Sequence, residues 1–203
     1  MNLNTRSLVD WEADLLKNEP ILQQYSANTD WHWLRYPFLA EGDTPEKRAD
    51  TRNFLAAHGY RIASVTMSFG DYMWNEPYAR CVAKNDTAAI AQLESSYLQA
   101  AADDADFRRA MSKTLYRHDI PYVLLMHVGA FDARMLPRLL QLYHDKGFSF
   151  ITLQDAENDP FYASAIDPSL PHQPDSLEGA IEARGLPLPP RPKPSIDPNT
   201  LCP

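Results

Sequence analysis

Ten of the seventeen prolines in this 203-residue chain lie between Pro168 and Pro203. A segment so rich in proline cannot continue a helix or sit inside a sheet, because each ring removes a backbone donor and fixes φ. The sequence therefore predicts a folded body over residues 1–160 and a proline-rich tail over 161–203, extended along the surface or mobile. The body is long enough for one domain with a real core. The 44% hydrophobic and 23% charged residues of the whole chain are those of a globular protein.

The body alternates helix and strand signals. Ser7 caps a helix carrying Leu8, Trp11, Leu15 and Leu16, running to about Asn18, and Pro20 opens a short second helix through Tyr25. Trp31 to Arg35 reads as a short strand ended by Tyr36-Pro37. Asp43 or Thr44 caps the next helix, with Pro45 just inside and Gly59 at its end. Tyr60 to Met67, Val123 to Met126 and Phe148 to Thr152 read as strands, with a loop over Ser68 to Pro77. Helices are expected from Asp86 to about Tyr116 and from Met135 to Lys146, the latter stopped by Gly147. This alternation is that of a parallel α/β sheet or barrel.

The net charge of −8, with no cluster of Lys and Arg, speaks against a nucleic-acid partner. The longest apolar runs are too short to span a membrane, and the first residues lack the pattern of an export signal. No P-loop, Gly-x-Gly-x-x-Gly, Gly-x-Ser-x-Gly or His-Glu-x-x-His occurs. Cys81 and Cys202 form no Cys-x-x-Cys. They are either unrelated thiols or a disulfide pinning the tail in an exported protein.

In parallel α/β folds, active sites gather at the C-terminal ends of strands. Arg35, Asp71 and His127 satisfy that placement, and an Arg, an Asp and a His on one rim make a hydrolytic site. Each also has a plain structural reading. Arg35 fits a salt bridge, Asp71 a turn cap, and His127 a core histidine bonded to a carbonyl.

Three stretches resemble, in order, the third, fourth and fifth motifs of polysaccharide deacetylases (carbohydrate esterase family 4). They are Arg35-Tyr36-Pro37-Phe38, Ser68-Phe69-Gly70-Asp71-Tyr72 and Leu124-Leu125-Met126-His127. Phe38 to Arg48, Ala57 to Ile62 and Trp74 to Cys81 are similar to a bacterial subgroup of that family, and the likeness runs from about residue 3 to about 160. The resemblance implies a partial distorted (β/α) barrel with parallel strands, lacking its N-terminal strands. It implies removal of acetyl groups from acetylated oligo- or polysaccharides with zinc or another divalent metal as cofactor. His127 would be the general acid, Asp71 its tuning partner, and Arg35 the residue that orients a catalytic-base aspartate. Tyr72, Trp74, Leu125 and Pro37 would line the substrate site. Tyr72 stands where many members have Trp, and Ser68 replaces a common Asp.

The family's first motif, which supplies the base and one ligand, and its His-x-x-x-His, which supplies two more, are not in this sequence. Met1 to Thr5 resembles the text just after the second histidine, so the chain is expected to begin downstream of the metal site. The expectation is then an inactive portion of a deacetylase, with no metal ligands of its own and self-association through an exposed sheet edge. The alternative is a non-catalytic carbohydrate-binding or interaction protein. Family habit would place a full-length protein with a signal peptide in the envelope or periplasm.

Overall fold

The structure, a computed structural model, describes residues 1–27 and 29–203. Two compact units emerge, each built from two separate stretches of chain. Met1–Ser64 and Leu153–Asp175 form the first unit; Val65–Thr152 and Ser176–Pro203 form the second. The division therefore does not follow the body-and-tail boundary expected near residue 160.

In the first unit, helix α1 spans Leu8–Tyr25 and helix α2 spans Pro45–Ala57. Ser7 Oγ accepts the Asp10 N–H and Thr44 Oγ1 accepts the Lys47 N–H, each satisfying a donor that the first turn leaves free. Gly59 follows α2 at φ +72°, a left-handed conformation that ends the helix cheaply. Strand β1 (Trp33–Leu34) pairs in parallel with β2 (Arg61–Ile62), Trp33 opposite Arg61 and Leu34 opposite Ile62. Leu3, Trp11, Leu34, Tyr36, Leu55, Tyr60 and Ile62 bury together around that pair. Helices α6 (Leu153–Ala156) and α7 (Ala163–Ile166) complete the unit, and α7 adds Ala165 to the core. The Arg52 Nη2 donates to the carbonyls of Ser164 at 2.6 Å and Leu170 at 3.2 Å, tying α2 to the returning chain.

In the second unit, helices α3 (Asn75–Ala83), α4 (Thr87–Tyr116), α5 (Ala130–Asp145) and α8 (Leu177–Ala183) pack together. Ala89, Leu93, Tyr97, Ala101 and Ala105 recur every fourth residue as one buried stripe of α4. Phe131, Met135, Leu139 and Tyr143 of α5 bury in the same cluster with the same spacing. Ala89, Ala101 and Ala105 keep the two ends of the stripe small, while Leu93 and Tyr97 fill the space between.

The expected α/β barrel is wrong. The chain is mostly helical, and among the described residues β1 and β2 make the sole sheet, two residues per strand. The Tyr60 to Met67 run pairs only at Arg61–Ile62 and at one parallel bridge from Met67 to Leu124. Phe148 to Thr152 forms no strand, and both Phe150 and Ile151 are exposed. A β-branched or aromatic run favours extended backbone, but a strand exists only where a neighbour offers a ladder and a face to bury. Here the Tyr60 to Met67 run is largely buried but finds a ladder only near its two ends, and Phe148 to Thr152 finds neither ladder nor buried face. With the barrel goes the barrel edge through which self-association was expected.

The tail is not wholly extended. Ser176 caps α8, whose Leu177 and Ile181 are buried, and Arg108 of α4 donates to Glu178 at 2.5 Å. Cys202 is bonded to Cys81 of α3, with Cα atoms 5.2 Å apart, so the two are a pair and not unrelated thiols. Among the described residues no helix is long and apolar enough to cross a membrane.

Candidate proton-transfer site

Two neighbouring extended segments of the second unit build the site. Val123 O accepts the Thr66 and Met67 N–H groups at 3.1 Å, and Met67 O accepts the Leu125 N–H at 3.0 Å. Beyond this short register both segments turn. Gly70 takes φ +73°, outside the range comfortable for a side chain, and Asp71 then opens a short 3-10 helix leading into α3. The other segment ends at His127, two residues before the Gly129 N-cap of α5. Asp71 and His127, 56 positions apart, are thereby delivered to the same end of the register.

Asp71 is wholly buried and its carboxylate is fully employed by His127. One oxygen accepts the His127 backbone N–H at 2.6 Å; the other faces Nδ1 at 2.8 Å. An ionised carboxylate only accepts, so Nδ1 carries the proton. Nε2 has no hydrogen-bond partner among the described residues, and the side chain is 44% exposed. The Tyr72 ring stands edge-on to the imidazole at 4.9 Å. Both line an open, largely apolar cavity of about 640 Å³, together with Asn75, Tyr78, Val128 and Gly129. Its size is within the range of small-ligand sites.

A second polar arm lies behind the pair. Asn75 Oδ1 accepts the Phe131 N–H at 2.9 Å, and its Nδ2 donates to Asp132 at 2.6 Å. The Tyr97 hydroxyl donates to the other Asp132 oxygen at 3.1 Å. Burial pushes the Asp132 carboxyl above its usual range, and the nearby Asp71 charge adds to the rise. Sequence reasoning assigned none of these three residues a part. The available signal was the stretch Trp74-Asn75-Glu76, which carries the resemblance without saying what Asn75 does.

No protein-family model, curated protein or solved structure matches this chain. The resemblance to polysaccharide deacetylases thus stands on the motif residues alone, and the structure distributes them unevenly. Asp71, Tyr72 and His127 come together. Trp74, expected at the substrate site, is instead buried in the core with its indole N–H on Ser96 Oγ at 2.9 Å. Leu125 is half-buried and does not line the cavity. Among the described residues no three His, Cys, Asp or Glu side chains could jointly hold a metal ion, and both cysteines are in the disulfide. A three-ligand zinc site of the family's kind does not fit these residues.

Arg35 and Pro37 belong to the first unit. Pro37 opens a 3-10 helix over Pro37–Leu39. The Arg35 Nε donates to the Ala63 carbonyl at 3.2 Å, and the charge felt by its half-buried guanidinium is that of Glu157. The Ser64 N–H donates to Glu157 Oε1 at 3.0 Å, so adjacent backbone groups hold the two side chains. Among the described residues Glu157 Oε2 is buried without a hydrogen-bond partner. Burial pushes its carboxyl from the usual 4.5 up to about 8, against the opposing pull of Ser64 N–H and Arg35.

A testable pH dependence follows. Between pH 4.5 and about 8 the folded protein keeps the Glu157 proton that the unfolded chain has released, so stability falls as pH rises through that window. Glu157→Gln retains the acceptor for Ser64 and removes the titration. Relative to the wild type, it is expected to gain on the order of 3 kcal/mol in going from acid to mildly alkaline pH. Urea unfolding of both proteins across that range measures it; parallel stability curves would refute the burial of a protonated Glu157.

Proposed function

We propose that Asp71 and His127 form the proton-delivering pair of a polysaccharide-deacetylase-like hydrolase, which removes acetyl groups from amino sugars or polysaccharides. The observation that carries this reading is the buried Asp71 carboxylate fixing Nδ1 of a histidine whose other nitrogen is free on a cavity wall. In that arrangement Asp71 sets the tautomer and stabilises the imidazolium. The imidazolium carries a second proton on Nε2 and gives it to the leaving nitrogen or oxygen as the bond to the acetyl carbon breaks, the acetyl group passing to water as acetate. Tyr72 and Tyr78 offer ring surface for a sugar, whose axial C–H groups pack on aromatic faces. The family's metal ligands are not in this sequence, so acetate release by the chain alone is not expected, and the pair acts in deacetylation only where those ligands are supplied.

The same lack of a ligand set supports a second reading, a non-catalytic carbohydrate-binding protein. NMR titration of the chain with an N-acetylated chitooligosaccharide tests both. The hydrolase reading expects millimolar-range shifts at His127, Tyr72 and Tyr78, loss of binding in Tyr72→Ala, and weaker binding of the fully deacetylated oligomer. Equal affinity for the two oligomers would favour the binding protein. No perturbation of the cavity residues would sink both.

A further inference from the structure

The loop that presents His127 is secured by a side chain outside the proton-transfer pair. Phe131 lies in the first turn of α5, where backbone N–H groups have no partner within the helix. The N-cap residue is Gly129, which has no side chain to supply one. Asn75, at the start of α3, supplies it from across the unit. Its Oδ1 accepts the Phe131 N–H at 2.9 Å while its Nδ2 donates to Asp132, one residue further on, at 2.6 Å. Asp132 is itself buried and anchored by the Tyr97 hydroxyl at 3.1 Å.

Gly129 completes the device. Its φ of −144° is open to any residue, so the backbone does not call for glycine there. A Cβ at that position would overlap the Asn75 side-chain amide. Glycine is needed for the close approach of Asn75, and both residues line the cavity with His127.

We propose that Asn75 is a positioning residue for His127. It caps α5 from α3, fixes the 127–131 loop, and so keeps the imidazole on Asp71 at the cavity wall. The inference rests on the proton-transfer reading of His127. Asn75 itself transfers no proton, since both ends of its amide are engaged by the protein.

The readout is the His127 Nδ1 proton, followed by NMR in the full chain without ligand. Asn75→Ala is expected to speed its exchange with water by about tenfold, the loss of one ordinary hydrogen bond's worth of local closure. Amide protection along α4 should stay unchanged. Gly129→Ala strikes the same contact from the other side and covers the case in which Asn75→Ala does not fold. It should speed exchange alone and add nothing further in the Asn75→Ala background, a coupling that marks one shared contact. Unchanged exchange in both single variants overturns the proposal, as does a lowered Tm with an unmoved His127 signal. Faster exchange in a chain that binds no acetylated oligosaccharide supports the positioning role and overturns the functional reading instead.

Discussion

Reduction of the Cys81–Cys202 bond is expected to cost the second unit about 4–5 kcal/mol, the loop-entropy value for a closure of this size. The bond joins residues 121 positions apart, so in the unfolded chain it confines more than half the sequence. Native contacts are arranged to receive it. The Arg80 Nε donates to the Cys202 carbonyl at 3.0 Å, and Nη2 reaches the carbonyls of Asn199 at 3.2 Å and Leu201 at 3.4 Å. Lys84 donates to the Pro203 carbonyl, and Asp197 accepts the Asn199 N–H to start the last 3-10 turn. These bonds hold the tail against α3 but are partly exposed, and without the covalent tie each competes with water. Denaturant unfolding with and without a phosphine reductant, and of Cys202→Ser, should show the same downward shift in midpoint. An unshifted midpoint would mean that the tail contributes nothing to the folded unit. Such bonds persist in oxidising compartments, so the stability of this unit is coupled to its redox surroundings.

Legibility in the sequence followed the range of the interaction. Ser7, Thr44, Asp86, Gly59 and Gly147 mark helix ends correctly because a cap or a left-handed glycine acts within a few residues of itself. Other helix bounds were misplaced, and proline was the cause at Pro20. Pro20 lies inside α1, where the sequence predicted a break, and Pro137 lies inside α5, which begins five residues before the expected Met135. Pro77 sits in the first turn of α3, where a missing N–H costs nothing, yet the segment read as loop. The strands failed for a different reason. Whether Tyr60 to Met67 forms a ladder depends on what lies beside it, and that partner is not encoded in its own residues.

The site shows the same division. That Asp71 and His127 meet came from strand-end placement and from the motif resemblance, since nothing in a 56-residue spacing brings two side chains together. Arg35 was read as awaiting a carboxylate, and the charge it feels is Glu157, a residue no motif had singled out. Asn75 and Asp132 were invisible because an amide and a carboxylate joined across 57 residues leave no local pattern. Two features can still be read backwards from the structure. Gly129 is there for packing rather than conformation, and Gly70 for conformation, its φ of +73° allowing the turn that puts Asp71 inward.

Tyr97→Ala is expected to destabilise the second unit by about 4 kcal/mol, within the range for truncating a large buried aromatic. Tyr97 is fully buried on the α4 stripe and is met edge-on by Phe69 at 4.9 Å, Trp74 at 5.4 Å and Phe131 at 5.5 Å. Removing it empties the point where α4, α5 and the 68–74 turn converge. It also takes a donor from Asp132. Tyr97→Phe separates the two effects, since it keeps the ring contacts and deletes only the hydroxyl. That variant should cost about 1–2 kcal/mol, the price of one buried hydrogen bond to a carboxyl group. Burial already raises the Asp132 carboxyl, and losing a donor that favours its charged form raises it further. The folded state would then keep the proton over a wider range. The deficit of Tyr97→Phe should therefore be smallest in acid and grow as pH rises, a trend that loss of packing alone does not give. Urea midpoints of wild type, Tyr97→Phe and Tyr97→Ala at acid and neutral pH decide the matter. Equal losses for the two variants would place the whole contribution of Tyr97 in its hydroxyl and contradict the aromatic packing beneath the site.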